Sequence, residues 1–204
     1  MAETTSPDSP LFSVITNPLP HGPLTERPFV PGLHRIKHAT EGWERRQAAA
    51  LRRQVFCVEQ GLFDGDDRDA IDDRALTIVA LSELCGMPDR VVGTVRIHQP
   101  EPGPAPGEWI GSRLAVAADH RRAGSLGASL IRMAVCTATA RGCTRFHALV
   151  QSQNALLFRR LRWRTVAEVS LHGRPHHHME ADLAHYPPIH DGANGFLTLA
   201  RRAA

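Results

Sequence analysis

Residues 109–141 read WIGSRLAVAADHRRAGSLGASLIRMAVCTATAR and carry the strongest structural signal in this chain of 204 residues. The apolar run Arg113–Ala117 predicts a short buried strand. Small and apolar side chains then recur at the spacing of a helix face. They are Leu126, Leu130, Met133, Ala134 and Thr137. A strand, a glycine-containing turn and an amphipathic helix are therefore expected to follow one another.

The turn between this strand and helix suits an anion. Arg121 and Arg122 supply positive charge, and Gly124 and Gly127 allow the backbone to approach a ligand closely. The first N–H groups of a helix have no partner inside it and favour a phosphate. The same residues would also suit a plain tight turn with solvated arginines. Their spacing fits neither the Walker nor the dinucleotide pattern, which excludes nucleoside triphosphates and NAD as ligands.

The length suits one domain with tails at both ends. Residues 1–32 form a proline-rich arm that is predicted to be flexible, residues 33–186 the domain, and residues 187–204 a loosely held C-terminal tail. The prolines of the arm are Pro7, Pro10, Pro18, Pro20, Pro23, Pro28 and Pro31. No membrane-spanning run or signal peptide is recognisable, so we expect a cytoplasmic protein without a membrane partner.

Charge and cysteine content narrow the possible partners. Lysine and arginine number 24 against 21 aspartates and glutamates, for a net charge of +3. The arginine excess lies near Arg121 and Arg159, which predicts a local anion site rather than a nucleic-acid surface. A small nucleic-acid or protein interaction module stays an alternative because the pI is about 8.9. The four cysteines stand singly in apolar surroundings and are predicted to be reduced thiols, neither disulfides nor zinc ligands.

The remaining elements alternate between strands and helices. Trp43–Gln60 is predicted as an amphipathic helix that ends at Gly61. We expect its buried face to hold Ala48, Leu51, Val55 and Val58. The other predicted elements are strand Leu33–His38, hairpin Ala75–Leu84 and Arg90–His98 with a turn at 86–89, strand Thr144–Val150, helix Ala155–Leu161, a strand from Arg162 and a last strand within 173–183. This order predicts an α/β fold with a mixed sheet of about six to seven strands flanked by helices.

An acidic segment, Asp64–Arg74, follows the first helix. A run of this kind is usually a solvated loop. The alternative is an acidic wall that attracts a cationic amine. No glutamate closes the segment at the twelfth position, so it does not match a calcium loop.

Arg121-Arg122-Ala123-Gly124, placed between a strand and a helix, resembles the central signature of the GNAT (GCN5-related) N-acyltransferases, Arg/Gln-x-x-Gly-x-Gly/Ala. Leu126 stands where that signature has Gly or Ala, and Gly127 follows one position later. The resemblance implies the GNAT fold, with acetyl-CoA or another acyl-CoA as co-substrate and no metal. The implied cofactor-binding residues are Leu114, Ala115, Val116, Arg121, Arg122, Ala123, Gly124, Ser125, Leu126, Gly127, Asn154, Phe158 and Arg160.

The end of the first helix, followed by an acidic loop, is similar to the ElaA-type acetyltransferases of that superfamily. The matching residues are Arg52 or Arg53, Phe56, Glu59, Gln60 and Asp67. Acyl-homoserine-lactone synthases have a related arrangement, and Arg96 and Arg113 match arginines of their substrate region. Their glutamate three places before that second arginine is replaced by Ile110. The chain as a whole also resembles the GNAT family encoded beside nitrilases and linked to nitrogen starvation. The implied substrate-binding residues are Phe56, Asp67, Arg96, Arg113 and Gln151.

Acyl transfer from a thioester to an amine needs a base, an oxyanion donor and an acid for the departing sulfur. Glu59 is the candidate base, with an exposed helix glutamate as the alternative. The resemblance places the oxyanion donor at the backbone N–H of Ala115 or Val116. The tyrosine that many family members use as the acid is replaced by Phe158, so water or His176 is the candidate. His176 and His178 share a strand face but lack a third ligand, which argues against a metal.

The sequence therefore predicts an acyl-CoA-dependent N-acyltransferase, most simply an N-acetyltransferase, acting on the amine of a small molecule. Two alternatives stay open: an acyl-CoA-binding protein without turnover, and a lactone-synthase-like acyltransferase. No nucleic-acid partner is expected, and a homodimer is compatible with the sequence.

Overall fold

The computed structural model describes residues 30–101, 107–123 and 125–199, with Arg122 and Ala123 described by their backbone alone. The predicted arm at 1–32 and the turn residue Gly124 therefore lie largely or wholly outside the described residues. The strands are β1 Leu33–His38, β2 Leu76–Leu84, β3 Met87–His98, β4 Glu108–Val116, β5 Arg145–Gln151, β6 Trp163–Leu171, β7 Arg174–Ala181 and β8 Phe196–Leu199, and the α-helices are α1 Gly42–Arg53, α2 Leu126–Ala140 and α3 Ala155–Arg160.

The strands form one mixed sheet in the order β6-β7-β5-β4-β3-β2-β1-β8, which confirms the predicted α/β architecture. All neighbouring strands are antiparallel except β4 and β5, which are parallel. The described residues contain eight strands rather than six or seven. None of the helices within these ranges is long and apolar enough to cross a membrane.

The eighth strand lies in the segment that was predicted to be a loose tail. β8 covers the outer edge of β1, with Leu33 opposite Leu199. The chain approaches that edge through Gly195, which has a φ of +62°. A Cβ at this position would lie 1.8 Å from the carbonyl oxygen of Ile36, so only glycine fits. The pairing supplies β1 with main-chain partners that its exposed edge would otherwise lack.

The β2–β3 hairpin was predicted correctly, but its turn was placed too late. The loop consists of Cys85 and Gly86, whose φ angles are +52° and +78°. Two positive φ values between paired strands define a type I′ turn. Met87 and Pro88 therefore already belong to β3. Cys85 is exposed at this turn, which corrects its predicted apolar surroundings, whereas Cys136 and Cys143 are buried.

The first helix changes its winding before it ends. α1 continues as a π-helical segment, Gln54–Glu59, and the chain then turns at Gly61 with a φ of +59°. The wider π turn adds a residue to the repeat and rotates the side chains that follow it. Phe56 is consequently buried, whereas Val58, predicted on the buried face, is 68% exposed. The prediction of Val58 as a core residue was therefore wrong.

Helix α2 packs on the centre of the sheet, as its periodicity predicted. Leu126, Leu130, Met133, Ala134 and Thr137 are all at most 2% exposed. They belong to or adjoin the main apolar core, which also contains side chains of β2, β3, β4 and β5. Truncating one of the large members to alanine costs about 2–5 kcal/mol in typical cores. This packing fixes the N-terminus of α2 beside the end of β4.

Strand β4 is longer than the predicted segment, because it begins at Glu108 rather than at Arg113. Arg113 has a φ of +55°, and the β3–β4 register shifts next to it, so an extra residue bulges from β4. The parallel pairing with β5 covers only Glu108–Gly111 against Arg145–Ala148. Beyond Gly111 the two strands no longer pair, and a gap opens between them.

Candidate active site

The gap between β4 and β5 leads into a cavity of about 270 Å³. Ser112, Arg113 and Leu114 line it from the bulged part of β4, and Ile131 and Ala134 line it from α2. Beyond Gly111, the main-chain N–H and C=O groups of β4 that face β5 are not hydrogen-bonded to that strand. The cavity therefore has main-chain groups of β4 that are not paired with β5 on one side and the apolar core on the other.

The predicted anion site lies at the start of α2. The helix begins after Ser125, whose carbonyl oxygen accepts the N–H of Ser129 at 2.8 Å. The Ser125 hydroxyl lies 3.5 Å from the carbonyl oxygen of Leu199, and Leu126 is 2% exposed. A Cβ on Gly127 would meet only Leu157, at an ordinary 3.8 Å. The first N–H groups of a helix have no partner inside the helix, so this end of α2 has the general character of an anion site, which stays a prediction.

Arg121 links this turn to the end of the first helix. Its Nε donates to the carbonyl oxygen of Val116 at 2.8 Å, and its Nη2 lies 2.6 Å from Oε2 of Glu59. The pair is partly exposed, with 43% of the Arg121 side chain and 27% of the Glu59 side chain accessible. The predicted base is thus held by an arginine of the predicted phosphate turn.

The other predicted cofactor residues divide between the cavity and its surroundings. Leu114, Asn154 and Phe158 line the cavity. Ala115 is 2% exposed in β4, where it pairs with Thr94. Arg160 is exposed in the last turn of α3.

The acidic segment is exposed over most of its length, as a solvated loop is, but its Asp67 is buried and ion-paired rather than part of a free acidic wall. Nε of Arg52 donates to Asp67 at 2.8 Å, and its Nη2 donates to Asp72 at 3.1 Å. The Asp67 side chain has no exposed surface. Burial would raise the pKa of Asp72, but hydrogen bonds from Arg52 and from the backbone of Asp69 outweigh it and leave that pKa well below its usual range.

Two further arginines complete this ion-pair network. Arg96, which is 2% exposed, donates to Asp69 at 2.6 Å and to Ser112 at 3.0 Å. The bond from Arg96 lowers the pKa of the Asp69 carboxyl. Arg113 lies 3.0 Å from Asp67 and 3.2 Å from Asp69. Burial, and then the charge of Arg96, lower the pKa of Arg113. The predicted substrate residues Asp67, Arg96 and Arg113 are therefore brought together.

His176 and Gln151 stand at the β5–β7 side of the cavity. His176 is 5% exposed, and its Nδ1 lies 2.9 Å from the carbonyl oxygen of Arg174. A carbonyl only accepts, so Nδ1 carries the hydrogen and Nε2 is left as an acceptor. Gln151 donates to Oε1 of Gln60 at 2.9 Å. Both predicted residues line the cavity, as does Phe56.

His178, the second histidine on this strand face, contacts His147. Its Nε2 is 3.0 Å from Nδ1 of His147, and the rings meet edge to face at 4.9 Å. Burial and the neighbouring His178 lower the pKa of His147. Within the described ranges, no group of three His, Cys, Asp or Glu side chains is placed to hold a metal ion.

Sequence reasoning missed the cavity residues contributed by turns. Phe63 and His172 meet edge to face at 5.3 Å, and the Arg113 guanidinium lies 4.4 Å above the Phe63 ring. His172 and Gly173 form the tight turn between β6 and β7, with φ angles of +49° and +68°. Two such residues between alternating runs are a hairpin signal that could have located this turn.

The comparison with protein families decides the classification. Residues 40–160, more than half of the chain, match the sequence profile of the acetyltransferase (GNAT) family. The chain belongs to the GNAT family. The predicted resemblance is thereby confirmed at the level of the superfamily. GNAT enzymes use acyl-CoA and act on small-molecule acceptors, so the chain is an acyl-CoA-dependent acyltransferase in general terms.

Several solved GNAT structures are similar to this one. A Lactobacillus plantarum protein provisionally named an N-acetyltransferase has a TM-score of 0.63 and 23% identity, covering 74% of this chain and 98% of that chain. Escherichia coli ElaA has a TM-score of 0.56 and 19% identity, and the match covers 73% of this chain and 98% of ElaA. An aminoglycoside 6′-N-acetyltransferase complexed with coenzyme A has a TM-score of 0.58 and 12% identity. That match covers 72% of this chain and 96% of the acetyltransferase. These identities show a shared fold. No curated protein sequence matches the chain significantly.

Proposed function

We propose that this GNAT protein is a cytoplasmic N-acetyltransferase that moves an acetyl group from acetyl-CoA to the amine of a small molecule. The main support is the cavity at the gap between β4 and β5, which is lined by Arg113 of β4 and by Ile131 and Ala134 of α2. We place the thioester along β4 in that cavity and the diphosphate at the start of α2. The cysteines Cys57, Cys85, Cys136 and Cys143 are all free, as expected in a reducing compartment.

In this proposal the N-terminus of α2 binds the diphosphate. The first-turn N–H groups around Ser125, Leu126 and Gly127 and the positive helix end supply the attraction. The pantetheine arm passes Leu114 and lies between β4 and the side chains of Asn154 and Phe158, which line the cavity. Arg122, Ala123, Gly124 and Arg160 stay predicted contacts of the cofactor.

The acceptor lies on the opposite side of the gap. Phe56, Arg113 and Gln151 contact it, because all three line the cavity. Asp67 and Arg96 act through Arg113, since Asp67 ion-pairs with it and Arg96 shares Asp69 with it. These two residues therefore position the acceptor wall without touching the acceptor.

The transfer forms a C–N bond and breaks the C–S bond of the thioester. A neutral amine attacks the carbonyl carbon, and a main-chain N–H of Ala115 or Val116 stabilises the oxyanion. His176 accepts the proton of the amine at Nε2, which its bond to Arg174 leaves free. The sulfur departs as a thiolate, takes that proton from the protonated His176 and leaves as the CoA thiol. Glu59 stays a candidate base that becomes available when Arg121 leaves it for the cofactor phosphate.

An acyl-CoA-binding protein without turnover is the second candidate. It is favoured by Phe158, which is buried beside the cavity and has no proton to give to the sulfur. Formation of an acetylated amine together with free CoA would exclude it. A lactone-synthase-like activity would instead give an acylated product that contains a lactone ring.

We place no nucleic acid or membrane among the partners, and a homodimer fits the edge strand β6. That strand exposes Val166, Val169 and Leu171, which are 47%, 37% and 37% accessible. An edge with apolar side chains can pair with a second copy.

Gly127 gives a direct test of the cofactor site. A glutamate at this position stabilises the helix, because its negative charge lies near the positive end of the helix dipole. The same charge repels a diphosphate at the first-turn N–H groups. We expect Gly127→Glu to fold normally and to lose the rise in melting temperature that acetyl-CoA and CoA give the parent protein. Gly127→Gln is the matched control, with the same shape and no charge, and should keep most of the rise. Equal rises for both variants would contradict the proposed site.

A further inference from the structure

The charges around the cavity restrict the kind of amine that can enter. Among the described residues that line the cavity, none is an aspartate or glutamate, and Arg113 is the one arginine. An alkylammonium ion would leave water without gaining an anionic partner there, which is costly in an apolar site. The proximity of a guanidinium adds repulsion.

The nearest carboxylates are already neutralised. The Asp67 side chain is wholly buried between Arg52 and Arg113, and Asp69 pairs with both Arg96 and Arg113. The carboxylate of Glu59 is held by Arg121 outside the cavity. None of these groups offers a free negative charge to a cation in the cavity or a strong base for its proton.

The rest of the lining is apolar and aromatic. Phe56, Phe63, Phe146 and Trp163 all contribute to it. A cavity of about 150 Å³ lined by aliphatic and aromatic side chains binds benzene in another protein. The 270 Å³ found here therefore accommodates one aromatic ring together with the end of the thioester.

We infer that the acceptor is a weakly basic aromatic amine, which is uncharged at neutral pH. The inference rests on the proposed function and specifies its substrate class. The lone pair of the neutral nitrogen attacks the thioester carbonyl carbon, so that the C–N bond forms and the C–S bond breaks. The nitrogen proton passes to Nε2 of His176, which returns it to the departing sulfur, so that the sulfur leaves as the CoA thiol. No base is needed to remove a proton from the amine before attack, unlike for an alkylamine, whose pKa is about 10.

Aniline and benzylamine form a matched pair of probes, because both carry one phenyl ring and differ in basicity. The parent enzyme is given acetyl-CoA and each amine at pH 7.5, and the acetylated amine is quantified by mass spectrometry. We expect kcat/KM for aniline to exceed that for benzylamine by at least about tenfold. A benzylamine value equal to or above that of aniline would overturn the inference.

Gln60→Glu tests the electrostatic cause directly. The variant puts a carboxylate into the cavity and keeps the oxygen that accepts from Gln151. The ratio of kcat/KM for benzylamine to that for aniline should rise at least about tenfold, at an unchanged melting temperature. An unchanged ratio in the folded variant would count against charge as the basis of selection.

The outcomes separate this inference from the function on which it rests. If acetyl-CoA raises the melting temperature but neither amine is acetylated, the aromatic-amine inference is wrong and the cofactor site stands. If acetyl-CoA gives no rise and no amine releases CoA, the proposed acetyltransferase itself is wrong.

Discussion

At the scale of single residues, neighbouring aspartates of the acidic segment have opposite surroundings. The Asp67 side chain is wholly buried between two arginines, whereas Asp66 is 44% exposed and pairs with Arg68, which is 67% exposed. From composition alone, both aspartates are expected to be solvated. Only the packing of the segment against Arg52 and Arg113 separates them, and those residues are distant in the sequence.

Asp67→Asn should therefore destabilise the fold strongly. The substitution keeps the size of the side chain but leaves two buried guanidiniums short of an anion, which costs about 3–5 kcal/mol in comparable buried pairs. Asp66→Asn is the matched control and should change the unfolding free energy by less than about 1 kcal/mol. Urea denaturation of the two variants measures both values, and equal losses would contradict the network as described.

His176→Asn tests the proposed proton acceptor. We expect kcat to fall by about 100-fold, with the KM for acetyl-CoA unchanged, because the proton of the attacking amine loses its acceptor. His177→Asn is the neighbouring control, since His177 is not among the residues that line the cavity. Comparable activity of the two variants would remove His176 from the mechanism.

At the scale of elements, periodicity predicted most of the fold. The helix face of α2 and the strand β1 were recognised because their patterns follow the repeat of one regular element. Local departures from that repeat were missed: the π-helical end after Arg53 and the bulge at Arg113. Each adds one residue to a regular repeat, and a local sequence pattern does not record where such an insertion occurs.

The β2–β3 turn offers an element-scale prediction. Cys85 occupies a left-handed conformation that asparagine tolerates better than cysteine. Cys85→Asn creates the Asn-Gly pair favoured in type I′ turns and should stabilise the protein by about 0.5–1 kcal/mol, or raise Tm by about 2 °C. Cys85→Val, with a β-branched side chain at the same position, should lower Tm in the same calorimetric experiment. A Tm for the valine variant at or above that of the asparagine variant would contradict this turn.

At the scale of the whole molecule, buried histidines should make stability depend on pH. Burial, and then the charges of Arg96 and Arg74, lower the pKa of His98 to about 4. Because the unfolded pKa is about 6.5, the unfolded chain binds more protons between these values. The contribution of His98 to the free energy of unfolding is therefore fully present above about pH 6.5 and is lost as the pH falls towards 4. Asp69 and Asp72, whose pKa values are lowered, extend the loss below about pH 4.

Urea denaturation between pH 7 and pH 4 checks this dependence. His98→Asn should flatten it by an amount on the order of 3 kcal/mol, since a proton uptake site of the unfolded chain is removed. His98→Gln, a second replacement that cannot take up a proton, should flatten the dependence by a similar amount. A parallel decline in the parent and His98→Asn proteins would show that His98 is not the source.

The site as a whole could be predicted only in outline. The turn from β4 into α2 is local in sequence, so the start of this helix could be predicted, whereas its binding of an anion stays a prediction. The cavity combines residues from α1 to β7 across the gap between β4 and β5, a geometry set by long-range packing. Residues such as Phe63 and His172 therefore had no local signal for a role beside Arg113.

The most direct test is a crystal structure of the protein with coenzyme A. We predict that the diphosphate lies on the main-chain N–H groups at the start of α2 and that the pantetheine arm passes between β4 and β5, with its sulfur in the cavity near His176. Coenzyme A bound elsewhere, or a gap between β4 and β5 that stays unoccupied at saturating ligand, would contradict the account.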